Sequence, residues 1–125
     1  MMKRKILVID DEEGFTALIK TTLEERGNYK VRAENNASLA LVAAREFKPD
    51  LILLDIMMPG DMDGGEIARR IEDDENIKNI PIVFLTAVTT KEEVTAGRGF
   101  IGGHPFIAKP VNIEKLINYI EKKLA

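Results

Sequence analysis

The chain has no cysteine and no tryptophan, one histidine, and no long hydrophobic run. Without cysteine there is neither a disulfide framework nor a thiolate nucleophile or metal ligand, which fits a reducing compartment. His104 has no second imidazole or thiol to share a transition metal with, so it reads as a surface loop residue and is given no role. No stretch approaches the roughly 20 apolar residues that a membrane helix needs. The basic start Met1-Met2-Lys3-Arg4-Lys5 precedes only Ile6 to Ile9 before two aspartates, which is too short for an export signal. Charge of one sign is also lacking. The 18 basic and 21 acidic residues leave a formal −3, with no global attraction to nucleic acid or an anionic membrane. These absences predict a cytoplasmic protein. Its 125 residues suffice for one core, so residues 1–125 are expected to form one domain.

Three short, almost wholly apolar runs are present: Ile6 to Ile9, Leu51 to Leu54 and Ile82 to Leu85. They read as strands buried on both faces, and weaker runs at Tyr29 to Ala33 and Phe106 to Ala108 complete a set of five. Between them the period changes. Phe15, Leu18, Ile19, Thr22 and Leu23 form a helical stripe ending near Gly27, and Ile113, Leu116, Ile117, Ile120 and Leu124 form another at the C-terminus. Ala37, Ala40, Leu41 and Ala44 support a helix stopped by Pro49, and Ile67 with Ile71 one opened by Gly64-Gly65. Thr90 to Glu93 is a capping-box pattern for a further helix. Strands alternating with helices predict a doubly wound (βα)5 fold, a five-stranded parallel sheet covered on both faces.

In such a sheet, ligands bind beyond the carboxyl ends of the strands. The first strand ends at Asp10-Asp11, the third at Asp55, the fourth at Thr86 and the fifth at Lys109-Pro110, each polar or charged directly after an apolar run. Three clustered carboxylates repel one another unless a cation lies among them. Oxygen-only donors suit Mg²⁺, which readily shares its shell with phosphate. Two charges from Mg²⁺ and one from Lys109 balance the three aspartates, leaving a pocket able to take a phosphoryl group. A carboxylate there can act as nucleophile and form an acyl phosphate, with Lys109 and the Thr86 hydroxyl stabilising the transferring group. Asp55 is the expected acceptor, because it stands alone at a central strand end while Asp10 and Asp11 form a pair suited to metal.

Asp10-Asp11, Leu53 to Gly60, Leu85-Thr86-Ala87 and Lys109-Pro110 together resemble the receiver domains of two-component response regulators, over nearly the whole chain. The resemblance implies a flavodoxin-like sheet of order 2-1-3-4-5. It also implies that Asp11, Asp55 and the Met57 backbone carbonyl ligate Mg²⁺, that Asp10 helps mainly through water, and that the Lys109-Pro110 bond is cis. Asp55 would take its phosphoryl group from a phosphohistidine on a sensor histidine kinase or phosphotransfer protein, and Thr86 and Phe106 would form the switch read by a downstream protein.

Departures from that pattern are visible. Phe106 stands where tyrosine is common, and the loop from Gly60 to Gly64 is one residue longer than usual. Gly97, Gly99, Gly102 and Gly103 weaken the helix after Thr90, each costing roughly 1 kcal/mol if helical. Met57 and Val88, two residues beyond the acceptor and the threonine, are apolar and predict a long-lived phosphoryl group. Alternatives from other classes are a receiver-fold interaction module that is not phosphorylated in use, a flavodoxin-like nucleotide-binding protein and an aspartate phosphatase. The nucleotide reading lacks a glycine-rich phosphate loop, and the phosphatase reading lacks its Asp-x-Asp spacing.

Overall fold

The computed structural model describes residues 3–58, 63–86, 100, 101 and 103–125. The elements run β1 (Arg4–Ile9), α1 (Glu13–Glu25), β2 (Tyr29–Glu34), a 3₁₀ turn (Ala37–Leu39), α2 (Ala40–Phe47), β3 (Leu51–Asp55), α3 (Gly64–Glu72), β4 (Ile82–Thr86), β5 (Phe100–Ile101), β6 (His104–Ala108) and α4 (Ile113–Lys123).

The sheet order is β2-β1-β3-β4-β6-β5. The five strands expected from the sequence are β1, β2, β3, β4 and β6, all parallel in order 2-1-3-4-5. β5 is an addition to that set. It pairs antiparallel with β6, Phe100 opposite Pro105 and Ile101 opposite His104. The sequence predicts a weak helix through the glycine-rich stretch, but at Phe100–Ile101 the backbone is extended. The glycines on either side of this pair disfavour a helix, whereas an aromatic and a β-branched residue suit a strand with a ladder partner. The expected helix from Thr90, the lengthened loop at residues 59–62 and Val88 lie outside the described residues.

Period-two alternation sorts the strand residues onto two faces. Leu7, Ile9, Ile52, Leu54, Ile82 and Phe84 pack with α2 and α3. Ile6, Val8, Leu51, Leu53, Val83 and Leu85 pack with α1 and α4. The central strands are therefore apolar on both sides.

Helix ends follow local chemistry. Gly27, at φ 84°, stops α1 in a conformation that favours glycine. Lys48, at φ 49°, ends α2 before Pro49. Asp63 caps α3 by accepting the Glu66 N–H at 2.9 Å, and Asn112 caps α4 through Lys115 N–H at 3.0 Å. On α1 the buried residues are Thr16, Ile19 and Leu23, while Leu18 of the expected stripe is 58% exposed. The helix is rotated so that Thr16 faces inward, where its hydroxyl donates to the Glu13 carbonyl at 3.1 Å and accepts from Asn35.

Candidate functional site

Pleat parity decides which strand-end residues meet. Asp10 follows Ile6 and Val8, Asp55 follows Leu51 and Leu53, and Lys109 follows Ile107, all on the face covered by α1 and α4. Thr86 follows Ile82 and Phe84 and shares the opposite parity with Phe106. Asp10, Asp55 and Lys109 thus converge on one side, and the hydroxyl and the aromatic ring belong to the other.

Backbone hydrogen bonds continue the ladders past the strands and fix this geometry. Asp10 N–H donates to the Glu34 carbonyl at 3.1 Å, Ile56 N–H to the Leu85 carbonyl at 3.0 Å, and Lys109 N–H to the Thr86 carbonyl at 2.7 Å. The Lys109-Pro110 bond is cis.

Asp10 is wholly buried, Asp55 is 3% exposed and Thr86 5% exposed, while Asp11 is exposed. Carboxylate oxygens of Asp10, Asp11 and Asp55 lie within 4.8 Å of one another. Burial pushes the Asp55 carboxyl up to about 6, and the Asp10 carboxylate adds to the rise against the opposing pull of Lys109 and of the Met57 N–H. Three hard carboxylate oxygens gathered this closely are the arrangement a divalent cation relieves, so these residues fit Mg²⁺.

Lys109 supplies the resident positive charge. Its Nζ is 2.6 Å from Asp10 Oδ2, 3.5 Å from Glu12 Oε1 and 3.9 Å from Asp55 Oδ1. It also lies 4.6 Å from the centroid of the Phe15 ring. Burial disfavours the ammonium, but the hydrogen bond to Asp10 and the surrounding carboxylates outweigh it and raise its pKa. Met57 N–H donates to Asp55 Oδ1 at 3.3 Å, and its side chain is 73% exposed. Met58 is buried in the core instead. Phe106 is half-buried against the cluster that holds Phe84, its partner in register.

Four contributors escape the sequence reading. Asn35 donates to the Asp10 carbonyl and to Thr16 Oγ1, both at 2.8 Å, and so ties the end of β1 to β2 and α1. The strand-end rule that singles out the other positions, applied also to β2, leads to it. A Cβ on Gly64 would lie 2.3 Å from the Asp55 carbonyl oxygen, so α3 starts against the Asp55 backbone. The Gly64-Gly65 pair is the available signal. Phe15 and Glu12 approach Lys109 from α1 and its cap, a contact that the stripe pattern alone does not reveal. His104 is not a loop residue: it lies in β6, stacks edge-on to Phe84 at 5.6 Å and pairs with Glu72.

Residues 6–121 match the model of the response regulator receiver domain. The chain is a member of that family. It is 40% identical over 123 residues to the nisin biosynthesis regulatory protein NisR of Lactococcus lactis, covering 98% of this chain and 51% of NisR. It is 32% identical over 124 residues to the polar-differentiation response regulator DivK of Brucella anthropi, covering 98% of each. Among solved structures, the Vibrio cholerae chemotaxis protein CheY4 superposes with a TM-score of 0.80 at 28% identity, over 96% of this chain and 98% of that one. The receiver domain therefore spans about half of NisR but nearly all of DivK. The family is that of the receiver domains of response regulators. No described helix is long and apolar enough to cross a membrane.

Proposed function

We propose that this receiver domain, residues 1–125, is a cytoplasmic switch that accepts a phosphoryl group on Asp55 in a Mg²⁺-dependent reaction. The observation that carries the reading is the meeting of three carboxylates within 4.8 Å, with an ammonium 3.9 Å from the proposed acceptor. Asp11, Asp55 and the Met57 carbonyl would hold Mg²⁺, with Asp10 acting mainly through water, and the ion supplies positive charge for the transferring oxygens.

In the proposed step an Asp55 carboxylate oxygen attacks phosphorus. The P–N bond of a phosphohistidine on a sensor kinase or phosphotransfer protein breaks, and its electron pair stays on the imidazole nitrogen. Lys109 turns from Asp10 toward the phosphoryl oxygens, and the Thr86 hydroxyl donates to one of them. Movement of Thr86 makes room on its own face for Phe106. Lacking a phenolic hydroxyl, that ring holds its inward position by apolar burial alone. The downstream partner is proposed to be a protein, with no direct nucleic-acid contact by this domain. Attack of water on phosphorus later restores the carboxylate, slowly, because neither Met57 nor Val88 can orient that water.

With acetyl phosphate and Mg²⁺, the intact mass should rise by one phosphoryl group, labile to base and hydroxylamine. Asp55→Asn should gain none. Equal labelling of that variant moves the acceptor elsewhere and ends the assignment.

A further inference from the structure

The arrangement around Lys109 contains a carboxylate that the switch chemistry does not use. Glu12 is the N-cap residue of α1, yet its side chain makes no capping hydrogen bond. Helix caps are usually Ser, Thr, Asp or Asn, whose short side chains reach the first turn, and glutamate is not among them. The Glu12 backbone N–H is instead held by Asp10 Oδ1 at 2.9 Å. Its carboxylate, two-thirds exposed, turns to Lys109 at 3.5 Å.

The ammonium is therefore held from three directions, by Asp10, by Glu12 and by the face of Phe15. All three lie directly after β1 or in α1 and its cap. Asp55, on β3, is the most distant of the three carboxylates around it, at 3.9 Å. In the phosphoryl chemistry proposed above, Lys109 would turn toward the β3 side and away from Glu12.

We infer that Glu12 is a positioning residue which, with Asp10, holds the Lys109 ammonium on the β1 side of the pocket and competes with the incoming phosphoryl group for it. This rests on Asp55 being the acceptor, as proposed above. Glu12 then sets the readiness of the site: the stronger its hold on Lys109, the less of that charge is available to a phosphoryl donor. Because the pair is exposed at the rim, the effect is modest and sensitive to ionic strength.

The test is a beryllium fluoride titration at saturating Mg²⁺, followed by ¹⁹F NMR, of wild type, Glu12→Gln and the control Glu25→Gln, an exposed glutamate at the far end of α1. In parallel, the Lys109 side-chain ¹³C–¹H signals, assigned by their loss in Lys109→Arg, are recorded before addition. Glu12→Gln should bind beryllium fluoride about two- to fivefold more tightly at low salt, with less gain at high salt, and should shift the Lys109 signals. Glu25→Gln should do neither. Unchanged affinity in Glu12→Gln, with wild type binding normally, overturns the inference alone. Tighter binding with unmoved Lys109 signals also overturns it, since Glu12 would then act only through its field. Failure of wild type to bind at all removes the proposed switch chemistry, and the inference with it.

Discussion

The interior of the sheet and the two aspartates Asp10 and Asp55 at its carboxyl edge are almost equally dry and electrostatically opposite. Leu53 and Leu54 are fully buried, and so is Asp10, while Asp55 is 3% exposed. An apolar side chain favours folding by leaving water, whereas a carboxylate in the same place loses hydration and meets its neighbours' charge. The edge is held in shape by the interior and by hydrogen bonds from Asn35, Glu12 and Lys109, not by any preference of its own. Stability thus resides in one region and charge strain in the other, and substitutions in the two should differ in sign.

The largest effect is expected inside. Leu53→Ala should cost about 2–5 kcal/mol, as a cavity between β3 and the α1/α4 layer. Urea unfolding measures it, and a loss within error would mean that the core is not continuous there. Next comes the junction of the two regions. Gly64→Ala forces the start of α3 away from the Asp55 carbonyl oxygen and should cost about 1–3 kcal/mol. Because the backbone displaced carries Asp55, calorimetric Mg²⁺ affinity should fall too, whereas Leu53→Ala should leave it nearly unchanged in the folded fraction.

Asp55→Asn should reverse the sign. The folded carboxyl sits at about 6, above its ordinary value near 3.8, so between these the native state binds the proton more tightly than the unfolded one. Stability from this group falls as pH rises from about 4 to about 6, and the full penalty applies above that range. Without Mg²⁺ at about pH 7.5, the asparagine variant should therefore be more stable than wild type, on the order of 1–2 kcal/mol after allowing for solvent screening. That advantage should vanish below about pH 4. Denaturation at the two pH values checks it, and a variant less stable than wild type at the higher one would mean that the edge is not strained by charge.

The smallest effect concerns a charged pair outside both regions. Lys20 Nζ donates to the Val31 carbonyl at 2.8 Å, and Glu24 accepts the Val31 N–H at 3.1 Å, so α1 satisfies the free edge of β2. Glu24→Ala should change global stability by only about 0.5–1.5 kcal/mol, while hydrogen exchange at the Val31 amide quickens.

Much of this is legible residue by residue. The three apolar runs point to buried central strands, because a strand covered on both faces is apolar at every position and runs of four are too short for helices. The strand-end rule then finds Asp10, Asp55, Thr86 and Lys109 although they lie far apart in the chain. β5 escapes it because two residues carry no period, and His104 because a lone imidazole has no pattern; each acquires its place from a partner that the pattern does not name.

What the sequence determined by itself is the five parallel strands and the parity that sends Asp10, Asp55 and Lys109 to one face and Thr86 and Phe106 to the other, since hydrophobic period and pleat are local properties of the chain. Only the tertiary structure decided which carboxylate Lys109 answers to. That choice turns on differences between 2.6, 3.5 and 3.9 Å, to Asp10, Glu12 and Asp55. Coulomb energy follows distance and local dielectric, and neither exists until the strands have met.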